Sequence, residues 1–233
     1  MSELLHFSEH TLQEFALLTM AIVYSLRLRW LFHFKGGKER QAPTGSANTT
    51  PIKGALYSWA TVAMPWAMES SRTKLFFYIQ FVIFHLGVIF AIALSFVIPY
   101  VPGFLNISEI IIPVFQAIIG AAFIVGFARI IRRISNLYMR AISTPDDYFS
   151  LVLLTVWFAF AFFSVPNNYQ DGEGVLITYF ILTAFFLIYV PFSKISHYLY
   201  YPFTRYWFGK SMGHRGVYPI KHVANNGGVQ YGK

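Results

Sequence analysis

The sequence predicts an all-α integral membrane bundle of five transmembrane helices, with the N-terminus outside and the C-terminus cytoplasmic. Three observations carry that reading. The composition, 56% hydrophobic and 12% charged with a mean hydropathy of +0.51, lies far from the averages of soluble domains. Five apolar stretches, about residues 11–31, 75–99, 107–131, 148–165 and 175–197, are each long enough to cross a bilayer. The third is the placement of positive charge. Eight of the 18 lysines and arginines lie in residues 27–74, four in 129–140 and six in 194–233, while the N-terminus and the two other loops hold none. Cytoplasmic loops near span ends carry such an excess, which favours five spans over four or six and gives the expected orientation. The formal charge of +8 is therefore a topology signal and does not point to nucleic acid.

In chain order, the first span follows a short, mildly acidic start. It does not read as a cleaved signal, because Arg27 and Arg29 follow its apolar core while Glu3, Glu9 and Glu14 precede or enter it. Residues 34–74 form a polar loop with Lys35, Lys38 and Arg40, and an interfacial helix is expected near residues 56–68, where Trp59 and Trp66 suit the headgroup zone. The second span contains His85, and the third ends in Arg129, Arg132 and Arg133. Before the fourth, Ser143-Thr144-Pro145-Asp146-Asp147 reads as a helix start: a hydroxyl cap, then proline, then acids in the first turn. An acidic turn, Asp171-Gly172-Glu173, precedes the fifth span, which is expected to run to His197. The tail, residues 198–233, is too polar to span but rich in Tyr, Phe, Trp and Arg, types enriched at interfaces.

One membrane domain, 1–233, uses up this length, so substrate chemistry away from the bilayer belongs to partners. The absence of cysteine excludes cysteine-ligated iron–sulfur clusters, c-type haem and disulfides in this chain. Seven histidines remain to be sorted. His6, His10, His33, His214 and His222 are expected to be solvated or interfacial imidazoles. His85 lies about ten residues into its span, roughly 15 Å from the inner end, where a solvated side chain costs free energy and a metal ligand does not. His197 closes the fifth span. Two such histidines on two spans suggest one haem, six-coordinate and suited to electron transfer. Gly87 is expected to leave space beside a porphyrin, with Phe81, Phe84 and Phe90 as apolar bulk. Pro191 is expected to kink the fifth helix. Lys194 is read two ways, as a contact to a haem propionate or as a lysine that snorkels to the surface.

Phe84-His85-Leu86-Gly87 on the second span and Pro191-Phe192-Ser193-Lys194-Ile195-Ser196-His197 at the end of the fifth resemble the membrane cytochrome b of respiratory nitrate reductase. They are also similar to the cytochrome b subunits that serve heterodisulfide-reductase-like and sulfite-reductase-associated complexes. The resemblance covers roughly residues 75–205. It implies haem b held by His85 and His197, a quinone or quinol substrate, and a cytoplasmic iron–sulfur or molybdenum oxidoreductase subunit docked on the basic inner face. It also implies residence in the cytoplasmic (inner) membrane, in a respiratory complex. The family carries a second, outer haem, whose ligands would fall at Ser95 and Tyr179 here, so one haem is expected.

The expected function is thus a single-haem cytochrome b anchor exchanging electrons between the quinone pool and that subunit, with no complete active site in this chain. Quinone is then expected close to the haem, with Tyr78, Gln80, Gln116 and Tyr189 as polar groups within reach. The alternative is a non-redox membrane anchor or assembly subunit. A transporter would call for inward-facing acids and broken, repeated helices, which the spans lack.

Overall fold

The structure, a computed structural model, describes residues 1–37, 39–44, 49–67, 69–170 and 172–220, and every regular element among them is helical. α1 spans Glu3–His33, α2 Pro51–Ala60, α3 Leu75–Tyr100, α4 Ile111–Ser135, α5 Pro145–Ser164, α6 Gly174–Tyr189 and α7 His197–His214. α1, α3, α4, α5 and α6, the last continued by a tight turn to Phe192, are long and apolar enough to cross a membrane. This is a multi-pass membrane protein, as the hydropathy predicts.

Local chemistry explains where each helix starts and stops. Ser2 accepts a bond from Leu5 N and so opens α1 earlier than hydropathy suggests; a π-helical turn at Phe7–Thr11 follows. Thr144 and Asp147 close a reciprocal capping box with Pro145 in the first turn, so α5 begins where the sequence places its cap. α4 starts later than expected, after a 3-10 turn at Pro102–Asn106, and runs on to Ser135, because Arg132 and Arg133 suit the negative end of a helix dipole. The interfacial helix expected at 56–68 is shifted. Thr50 caps it and Pro51 starts it, while Pro65 pushes Met64 out of helical geometry and ends it, after a short 3-10 turn at Thr61–Ala63. Lys38, Met68, Asp171 and His222, with the rest of the tail beyond residue 220, lie outside the described residues.

The largest correction concerns the fifth span. It does not continue to His197. Pro191 supplies no N–H, and Ser193 is extended (φ −102°, ψ 173°), so the helix breaks and His197 becomes the first residue of α7.

The chain divides into two compact units. The first comprises Met1–Lys35 and Phe76–Ser196. In it α4 and α5 run antiparallel, tied by Gln116 to the Phe162 carbonyl at one end and Arg133 to Asp147 at the other. α5 and α6 are antiparallel as well, joined through Trp157 and Thr183 and through Ser150 and Tyr189. α1 lies parallel to α6, with Gln13 Nε2 donating to the Phe180 carbonyl at 3.0 Å and Arg27 over Phe192. α3 packs closely on α4. A Cβ on Gly87 would collide with that of Ala122, so only glycine allows this crossing. Leu94, Ile119, Trp157, Phe158, Tyr179 and Phe180 form the centre of the core.

The second unit comprises Gly36–Leu75 and His197–Lys233. Its two main helices, α2 and α7, meet backbone to backbone: a Cβ on Gly54 would lie within 2.7 Å of Gly213 N, and one on Gly209 within 2.7 Å of Ala55 Cα. Arg205 reinforces the seam, donating to the Ser58 carbonyl at 3.0 Å and to Thr61 Oγ1 at 2.7 Å. Trp59 Nε1 donates to the Pro202 carbonyl at 2.8 Å. Glu39 accepts from Arg215 at 3.3 Å and from Ser211 at 3.3 Å, and the guanidinium holds its carboxyl below the usual range.

Two outcomes follow from this packing. Gly87→Val should destabilise the protein by roughly 2–4 kcal/mol, read as a lowered thermal midpoint in detergent, whereas Gly103→Val, whose Cβ meets nothing, should leave it unchanged. Because the Glu39 carboxyl is depressed, its link to Arg215 contributes above the unfolded carboxylate range and is lost as pH falls through the folded value. Amide protection factors in residues 207–216, corrected for the intrinsic pH dependence of exchange, should therefore fall between about pH 5 and pH 3 in the native protein. Glu39→Gln should remove that dependence.

Candidate functional site

His85 sits ten residues into α3, four after Phe81. Its Nδ1 lies 2.7 Å from the Phe81 carbonyl oxygen, and its ring is 4.1 Å from the Phe81 ring. A carbonyl only accepts, so Nδ1 carries the proton and Nε2 the lone pair. That is the tautomer in which a histidine ligates a metal, oriented by a backbone acceptor on its other nitrogen. The ring is half-buried. Phe84, Gly87, Ala91 and Leu94 mark the buried face of α3, while Phe81, Ile89, Ile92 and Phe96 are exposed and share a stripe with His85 at helical spacing. The donor chemistry at His85 thus fits haem iron: a neutral imidazole, fixed in tautomer, on an apolar flank.

The groups expected to surround a porphyrin have other duties. Gly87 lies on the buried face, and the space it leaves is taken by Ala122 and Phe158. Phe84 packs on Phe158 with ring centroids 5.3 Å apart, and Phe90 on Phe115 at 4.8 Å. The Phe81 ring lies 4.1 Å from that of His85.

The PFSK segment forms a joint between α6 and the start of α5. Pro191 is buried at the helix break. Ile195 N donates to Ser193 Oγ at 3.1 Å, and Ser196 Oγ to the Ser193 carbonyl at 2.8 Å. Lys194 reaches across to the α5 cap, its Nζ 2.8 Å from Thr144 Oγ1 and 3.0 Å from Asp147 Oδ2. Its side chain is therefore held by a protein carboxylate, and neither reading of it from the sequence included that partner. Tyr189 donates to Asp146 and shares a bond of 2.9 Å with Ser150, and Gln116 donates to the Phe162 carbonyl at 3.4 Å, so two of the four polar groups considered for quinone are engaged in packing. Tyr78 lies near Phe81, 6.1 Å between centroids, and Gln80 is half-buried. His197 is exposed, opens α7 and belongs to the second unit, whereas His85 belongs to the first.

Nearly three helical turns beyond His85, the layer of Ser95 and Tyr179 is closed. Tyr179 is fully buried; its hydroxyl donates to the Ala91 carbonyl at 2.6 Å, with the Ser95 and Thr183 hydroxyls beside it. Trp157 stacks on it at 6.3 Å, and Phe180 lies 5.1 Å away. Aromatic side chains fill this layer.

The sequence predicts solvated or interfacial imidazoles at His6 and His10. Their rings lie 4.8 Å apart, tilted at 38°, with His6 just before the π-helical turn and His10 within it, 3.6 Å from the buried carboxylate of Glu9 and edge-on to Tyr100. The only sequence signal was their i, i+4 spacing. His33 lies against Phe34, and His214 bonds the Gln41 carbonyl at 2.7 Å.

No protein-family profile matches the chain, and no solved structure matches it. A protein of Nitratidesulfovibrio vulgaris (strain Hildenborough), whose name carries no function, is 27% identical over 158 residues. The match covers 63% of this chain and 66% of that protein, slightly under two thirds of the relative's length.

The joint yields a measurable coupling. In a double-mutant cycle of Lys194→Met and Asp147→Asn, the pair should show about 0.5 kcal/mol of interaction energy by thermal unfolding in detergent. Asp147→Asn alone should cost about 1 kcal/mol through the weakened capping box. Strict additivity would show that Lys194 is not held by Asp147.

Proposed function

We propose that this chain is a single-haem cytochrome b, the membrane anchor of a respiratory complex, similar to the cytochrome b of nitrate reductase. The observation that carries the reading is His85: an imidazole deep in an apolar span, with Nδ1–H bonded to its own helix and the Nε2 lone pair set as an iron ligand requires. Its second ligand is His197 of the PFSKxxH segment. When bound, haem b would supply reversible one-electron transfer. The Phe81 carbonyl orients the first imidazole, and the Ser193–Ser196 joint fixes the chain immediately before the second. Lys194 serves that joint.

A single haem is supported by Ser95 and Tyr179. Neither side chain is an imidazole, and both lie in a buried layer with Trp157 and Phe180. Quinone therefore exchanges electrons near the one haem, approaching the exposed stripe of α3 through the lipid. The orientation is N-terminus outside and C-terminus cytoplasmic, in the cytoplasmic membrane, from the charge distribution. The second unit, with exposed Trp59, Trp66, Trp207 and Phe208, is the docking surface for an iron–sulfur or molybdenum subunit.

The purified chain should give a reduced-minus-oxidised spectrum of b type and one haem by pyridine haemochrome. His85→Ala and His197→Ala should each abolish it. Two haems per chain, or a spectrum that survives both substitutions, would overturn the assignment. A wild-type chain that assembles without any haem would leave the non-redox anchor as the function.

A further inference from the structure

The last turns of α4 carry three arginines, and their surroundings differ. Arg133 is satisfied, with Nη1 2.5 Å from Ser143 Oγ and 3.9 Å from Asp147. Arg129 and Arg132 have no such partner. The Arg129 guanidinium lies over the Phe84 ring, 4.9 Å from its centroid, and that of Arg132 over Phe77 at 4.2 Å. Neither makes a hydrogen bond or ion pair with any described residue. Arg129 is half-buried, and the charges of Arg132 and Arg133 both act on it.

Three like charges within five residues of a membrane helix repel one another, and the ring quadrupoles offset only part of that cost. A ring contact of this kind supplies no oxygen acceptor, so the guanidinium N–H groups remain a planar fork of donors shaped for an oxyanion. Arg129 and Arg132 are three residues apart, so both forks stand on one side of α4.

We propose that Arg129 and Arg132 hold the phosphate of an anionic phospholipid. Position selects a lipid: Arg129 lies six residues, about 9 Å, from the end of α4, within reach of the headgroup layer for a long side chain. Phe77, over which Arg132 lies, and Phe76 beside it are exposed and offer an apolar surface for acyl chains next to the two arginines. The charge is complementary, because the nearby acid, Asp147, is already shared by Arg133 and Lys194. This inference uses neither His85 nor His197 and does not depend on the haem reading.

The full chain, purified in mild detergent and titrated with phosphatidylglycerol or phosphatidylcholine, should retain phosphatidylglycerol selectively by native mass spectrometry. The double variant Arg129→Gln, Arg132→Gln should bind it roughly tenfold or more weakly, while Arg140→Gln should bind as the native protein does. Should the glutamine pair fail to assemble, Arg129→Lys with Arg132→Lys, which keeps the charge and loses the fork, should still lower retention severalfold. Equal retention by the glutamine pair, or by the lysine pair when it is used, overturns the proposal. So does a glutamine pair that keeps its lipid but shifts the midpoint potential of a bound haem, because the occupant would then be a propionate.

Discussion

A polar chain crossing the middle of the first unit holds its helices in register. Trp157 Nε1 of α5 donates to Thr183 Oγ1, Thr183 donates back to the Tyr179 carbonyl, and the Tyr179 hydroxyl donates to the Ala91 carbonyl of α3. Every member is buried. In such surroundings an unmatched polar group costs several times what a matched bond contributes, so a one-turn slip of any of these helices would strand donors in an apolar interior. The Gly87–Ala122 approach then becomes possible, because α3 is already fixed in height and rotation against α6. Sequence-distant residues thus decide the face that His85 presents.

The spans were legible because their signal is a sum over some twenty residues, and so was the start of α5, where hydroxyl, proline and two acids state one local motif. The end of the fifth span was harder. Pro191 announced a disturbance, but whether a proline kinks a helix or stops it depends on what receives the next residues, and here Ser193 and the α5 cap do. Gly87 misled for a related reason. A missing side chain beside a histidine reads as room for a cofactor, yet a helix has two sides, and only packing reveals that this gap faces Ala122. Lys194 was ambiguous because its partner, Asp147, lies 47 positions away and was already accounted for as a helix-start acid.

The same difficulty applies to the histidines. Isolated along the chain, His6 and His10 resembled solvent-facing residues, and the π-helical turn that brings their rings together has no composition of its own. His85, by contrast, was conspicuous in the sequence because of its depth in an apolar run, and its bond to the Phe81 carbonyl follows from helical spacing. Depth and local geometry were readable. Long-range pairing was not, which is why the roles of Ser95 and Tyr179 as packing residues emerge only in three dimensions.

The seam between α2 and α7 has a consequence for molecular recognition. Side-chain interfaces adjust by changing rotamers; an interface built from Gly54, Gly209 and Gly213 has no rotamers to change. The aromatic groups around it, among them Trp59, Trp207 and Phe208, therefore stand on a scaffold with few alternative arrangements. A surface of that kind loses little conformational entropy when it is covered, so its affinity for a ligand reflects the contacts made and not the ordering needed to make them.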